Sequence, residues 1–205
     1  MVRLVLGVVL GFLLAVMLNG CASTPTATFA PTETILTRTE SKRPEWITKT
    51  HSQANGVLSF SGGVERDADY SLAVRSAKAE ALKNLSEAIH LRLESEFTKA
   101  LEGDETDSRD LGRFVADAVA FASSAILQGV RQEKVYVEKA VLNTYPEPYY
   151  NTFVLLTLTE ADYYRNRTLS LEQLVNRYKR ERNAAAKKRA EQLLDKLRKN
   201  ATPDP

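Results

Sequence analysis

The sequence predicts an α+β fold: a small antiparallel three-stranded sheet packed by a long helix, in the order strand-helix-helix-strand-strand, with a basic C-terminal helix after it. Three observations predict it. Short runs that read as strands occur at residues 56–64, 133–142 and 149–159. Between the first two, apolar residues recur at every fourth place from Ala73 to Leu101. From Ser170 onward, apolar residues at helical spacing are mixed with a dense run of Lys and Arg.

The chain opens with an address rather than a domain element. Residues 1–20 hold one charge, Arg3, then an apolar run from Leu4 to Leu18. The run is short for a spanning helix, which needs about 20 apolar residues, and has the layout of a secretory signal peptide. It ends in Leu18-Asn19-Gly20-Cys21, which resembles the lipobox of bacterial lipoproteins. The resemblance implies that Cys21 carries diacylglycerol, that the chain is cut before it, and that the new amine is acylated, with palmitate a usual acid. Several acyl chains at ~0.8 kcal/mol per buried methylene hold a protein on a membrane stably. Ala22 follows the cysteine, and in the enterobacterial sorting rule that residue does not retain a lipoprotein at the inner membrane. The expected place is the outer membrane, lipid-anchored, on its periplasmic face.

Residues 21–43 are rich in Thr, Pro, Ser and Ala and read as a flexible tether with a reach on the order of 25 Å. The domain is expected over 44–168, beginning at Pro44-Glu45-Trp46-Ile47. In the first strand, Gly56 to Val64, Leu58, Phe60 and Val64 share a face, and Gly62-Gly63 marks a bulge or a close approach by another backbone. Asp67 or Asp69 caps the long helix, whose alanines come first; small side chains let its first half lie close to the sheet. Gly103 is its expected C-cap.

An acidic loop, Glu102 to Asp110, leads to a second helix that ends at Gly129. Glu133–Leu142 and Tyr149–Thr159 are the remaining strands. Tyr145-Pro146-Glu147-Pro148 is expected in their connection, because proline cannot donate to a ladder. Residues 169–205 form the expected basic helix and tail. From Arg177 to Lys199 there are ten basic and three acidic residues, although the whole chain carries a net charge of only +2. Three readings stay open for that helix. It packs on the core with a solvated basic face, it projects and binds an anionic envelope material, or it pairs with a partner helix.

Composition narrows the chemistry. Hydrophobic residues are 43% and charged residues 26%, which excludes a wholly disordered chain and a multi-pass membrane protein. One Cys and two His exclude a disulfide scaffold and leave little for a metal site, so no metal, cofactor or catalytic residue is assigned. His51 and His90 read as surface or packing residues, and Glu94 and Glu96 cannot point the same way on one helix. Nucleic acid is not an expected partner in this compartment. The candidate interaction surface is aromatic and basic: Trp46, Tyr145, Tyr149 and Tyr150, with Lys187, Lys188 and Arg189 on the last helix.

Lipobox, polar tether, the Pro-Glu-Trp-Ile start, the Gly-containing strand and the helix with Ala73, Ala77 and Ala81 together resemble the LPP-twenty family. These are small bacterial lipoproteins of the Helicobacter outer-membrane type, related to the FlgP and FlgT flagellar domains. The resemblance covers roughly residues 44–160 and implies a non-enzymatic envelope or flagellar-associated lipoprotein with a small α+β fold. Three function classes follow. The favoured one is a membrane-tethered interaction or scaffold module, acting on envelope proteins or on copies of itself. The others are a binding module for cell wall or lipopolysaccharide, and an envelope hydrolase with an unrecognised pair of carboxylates.

Overall fold

The computed structural model describes residues 32–103 and 108–200. The described residues from Glu33 to Asn200 form one compact unit. Its elements are β1 (Glu33–Arg38), a single turn of 3-10 helix (Glu45–Thr48), β2 (His51–Ala54), β3 (Val57–Asp67), α1 (Tyr70–Leu101), α2 (Ser108–Leu127), β4 (Arg131–Leu142), β5 (Tyr145–Thr159), α3 (Glu160–Arg180) and α4 (Ala184–Asn200). All strand pairs are antiparallel, in the order β1-β4-β5-β3-β2.

The fold is α+β, but the expected three-stranded sheet is corrected to five strands, and the element order is β-β-β-α-α-β-β-α-α. Both added strands are edges. β1 lies inside the segment expected to be tether, and only Ile35 in it is half-buried. An edge strand is held by backbone hydrogen bonds to one neighbour, so a polar segment can join a sheet without burying side chains. β2 is exposed throughout; Asn55-Gly56, both at positive φ (51° and 71°), turns it tightly into β3.

β5 begins at Tyr145 and takes both prolines into the strand. They fit because β3 last pairs there at Tyr150. Between the pairs Leu142–Tyr145 and Ala140–Tyr149, β5 also bulges away from β4. Neither proline is needed as a donor.

Helix α1 starts at Asp69, whose side chain accepts from the Leu72 amide at 2.7 Å. Its first half runs along β3 and β5 with Ala73, Ala77 and Ala81 facing the sheet, all fully buried. Its second half outruns the sheet; 32 residues at 1.5 Å each make it about 48 Å long. There it packs with α2, α2 with α3, α3 with α4, and α4 with α1, which closes an up-down-up-down four-helix bundle. Leu93, Phe97, Phe114, Val119, Leu174 and Leu193 belong to one core continuous with the sheet's Leu58, Phe60, Val154 and Leu156.

The last helix of the sequence reading is corrected to two, and the first starts earlier. Thr159 caps α3 by accepting from the Asp162 amide at 3.0 Å. The chain turns at Arg182 (φ 55°), and Asn183 opens α4 by accepting from the Ala186 amide at 3.1 Å. The expected border at 168/169 therefore falls inside α3. Ala186, Ala190, Leu193 and Leu197 are buried, so the basic segment docks as the fourth wall of the bundle.

Candidate functional site

The sheet face opposite α1 is crossed by the chain itself. Residues 39–50 run from edge strand β1 to edge strand β2, and the 3-10 turn packs on β3 and β5. One ion pair latches this strap. The Arg43 guanidinium meets both carboxylate oxygens of Glu138 and lies over the Phe153 ring, 5.5 Å from its centre. Tyr136 donates its hydroxyl to Glu138 at 2.8 Å. Burial pushes the Glu138 carboxyl upward, but the hydrogen bonds from Arg43 and Tyr136 and the Arg43 charge outweigh it, leaving the group below the ordinary glutamate range. Burial and the bond to Glu138 push the Tyr136 phenol up to about 12. The Ser61 hydroxyl, donating to the Lys49 carbonyl at 2.8 Å, holds the far end of the strap.

A second ionic cluster sits where the bundle leaves the sheet. Glu96 of α1 accepts from Arg167 of α3 at 2.6 Å, from Arg92 at 3.1 Å and from the Tyr163 hydroxyl at 3.2 Å. Arg92 stacks on the Tyr163 ring at 4.3 Å, and Arg167 on the Tyr164 ring at 5.0 Å. Burial and the Glu96 charge raise the Tyr163 phenol. Both clusters join parts of the fold: Arg43–Glu138 ties the strap to the sheet, and Glu96–Arg167 ties α1 to α3.

The surfaces left open lie on the bundle. A cleft of about 690 Å³ runs between α1 and α2, floored by Leu101, Val115 and Val119, with His90, Glu94 and Lys99 on its rim. The second open surface is the α3–α4 turn. Between Arg177 and Arg189 there are seven basic residues and one acidic residue. Glu181 is engaged by Arg177 at 2.9 Å, and Lys187 by Glu191 at 3.2 Å. Lys179, Arg180 and Arg182 are exposed and make no ion pair among the described residues.

This turn lies at the bundle end remote from β1. The first pair of β1, Glu33 with Leu142, is beside the β4–β5 hairpin, and α1 starts at the same sheet end, where Tyr70 meets Tyr150 edge-on at 5.6 Å. The rings of Phe114 and Tyr178 lie 6.2 Å apart, which sets the end of α3 beside the start of α2 and so beside the far end of α1. The separation along α1 is about 45 Å.

The sequence-chosen residues are scattered. Trp46 is half-buried in the strap. Tyr145 is 57% exposed, at the start of β5. Tyr149 is 7% exposed on the strap side of the sheet, and Tyr150 points to the other side, beside Tyr70. The aromatic group therefore does not form one surface. Lys187, Lys188 and Arg189 point three ways around α4, Lys188 exposed and the other two half-buried. Leu18, Asn19, Gly20 and Cys21 lie outside the described residues.

Sequence reasoning missed Arg43, Glu138 and Arg167. Two of these left a signal: Glu138 sits in register with Tyr136 and Ala140, and Arg167 follows Tyr163 and precedes Leu171 at four-residue spacing. No helix among the described residues is long and apolar enough to cross a membrane. Nothing among protein-family models, curated proteins or solved structures matches the chain.

Proposed function

We propose that this protein is a lipid-anchored bacterial envelope lipoprotein that works as a non-enzymatic interaction or scaffold module on the periplasmic face of the outer membrane. The observation that carries the reading is the placement of the two ends of the folded unit. The chain enters at Glu33, beside the β4–β5 hairpin, and the bundle ends about 45 Å away. Eleven residues separate Cys21 from Glu33, a reach of at most about 40 Å. Lipid on Cys21 would keep Glu33 within that reach of the membrane, and a unit about 45 Å long on such a leash can present its bundle end to a partner. The LPP-twenty resemblance supports a flagellar or other envelope complex as that partner, with a second copy of the chain as the simplest case.

The experiment is metabolic labelling with a palmitate analogue, paired with in-cell crosslinking of the tagged full chain and of its Cys21→Ala variant. Label on the wild type alone, with a reproducible set of crosslinked proteins lost in Cys21→Ala, is the expected result. An unlabelled wild type, or a labelled one with no protein neighbour, overturns the reading.

A further inference from the structure

We propose that the α3–α4 turn is a docking site for an anionic cell-wall polymer, with Lys179, Arg180 and Arg182 as its contact residues. The choice of partner rests on the lipid-anchored reading above. Three exposed cations stand within four consecutive residues where α3 ends and the chain turns. Arg177 and Lys187 are occupied by Glu181 and Glu191 at the base of this turn, and the Asp117 carboxylate of α2 lies close enough to Tyr178 and Arg177 to act on both. Lys179, Arg180 and Arg182 have no such neighbour among the ion pairs of the described residues. Among the described residues no side-chain hydrogen bond or ion pair uses them, and the core contacts of both helix ends are made by Tyr178 and Ala186.

The chemistry of the partner follows from the exposure of these groups. A single solvated cation contributes little to binding, because water screens it. Three on one exposed turn gain by engaging several anionic groups of one chain at once, so they suit a polymer better than a small ion. Position selects among anionic materials. Leashed at Glu33, the folded unit can swing the turn, about 45 Å away, clear of that membrane's headgroups to carboxylates on the wall polymer.

The test is co-sedimentation of the full chain, in neutral detergent micelles, with purified protein-free sacculi. Vesicles of phosphatidylglycerol run as a parallel arm. The variant Lys179→Glu/Arg180→Glu/Arg182→Gly reverses two of the charges and removes the third, and glycine suits the positive φ at position 182. An unchanged melting temperature shows that it folds; should it not, Lys179→Gln/Arg180→Gln replaces it. Wild-type binding to sacculi is expected to fall between about 0.05 M and about 0.5 M salt, and the variant to bind about tenfold more weakly at low salt. Equal binding by the variant, salt-insensitive binding, or binding to the vesicles but not to sacculi overturns the proposal. Palmitate label and crosslinked neighbours are read separately. If they persist while sacculus binding fails, only this inference falls.

Discussion

Gly62 of β3 and Ala81 of α1 meet backbone to backbone. A methyl group on Gly62 would lie 2.6 Å from the Ala77 carbonyl oxygen and 2.7 Å from the Ala81 Cα. The contact explains why this face of the helix carries Ala73, Ala77 and Ala81 up to the point of contact, and large residues only from Leu85 on. Gly62→Ala is therefore expected to cost about 3 kcal/mol in urea unfolding, since neither helix nor strand backbone can yield cheaply. Gly112→Ala is the counter-case. Nothing lies within 4 Å of a methyl group there, and helix propensity alone is expected to add about 0.5–1 kcal/mol.

The Arg43–Glu138 latch gives the fold a defined acid sensitivity. The folded carboxyl is held below its unfolded range, so its stabilisation is full above about pH 4.3 and is lost as pH falls through the lower, folded value. Glu138→Gln is expected to flatten the stability curve in that acid window. Arg43→Ala, which strands a carboxylate that is 3% exposed, is expected to cost about 2–3 kcal/mol at neutral pH. Unfolding midpoints across pH for the three proteins decide it; equal slopes for wild type and Glu138→Gln would remove the latch as the cause.

Arg167 is 4% exposed and shares Glu96 with Arg92, while its Nε has no hydrogen-bond partner among the described residues. Removing one member should hurt more than removing the pair. Glu96→Gln, which leaves the Arg167 charge unpaired, is expected to cost about 3 kcal/mol. Glu96→Leu/Arg167→Met is expected to recover part of that, read as a favourable coupling in a double-mutant cycle.

The basic segment cannot be removed as an appendage. Truncation after Tyr178 would bare the bundle face that Ala190, Leu193 and Leu197 cover. Loss of cooperative unfolding is expected by calorimetry. Leu193→Ala alone is expected to cost about 3 kcal/mol. A truncated chain that melts like the full one would contradict the bundle.

What the sequence made legible was whatever repeats. The four-residue spacing from Ala73 to Leu101 marked α1 to its last residue, and Asp69 was one of its two foreseen caps. Elements that borrow their stability from a neighbour were invisible. β1 and β2 bury almost nothing, so Glu33–Arg38 reads as tether and His51–Ala54 as polar approach to a strand. The first half of α3 was hidden by Tyr163-Tyr164, which resemble strand-end aromatics until Arg167 is admitted into an apolar stripe. The charge asymmetry of the tail was legible as a sum. Which of its cations stay exposed and outside the ion pairs of the described residues became visible only with the turn at Arg182.

The way β1 is joined to the sheet sets how the molecule would carry a load. It is held sideways by five paired residues of β4, and its first residue faces the sheet end remote from the bundle tip. A pull between the residues before Glu33 and the far end of the helices therefore runs along the strand. β1 would be strained in shear, with its rungs stretched together, and would not unzip one rung at a time. A short, polar, exposed strand becomes a mechanical clamp by direction alone.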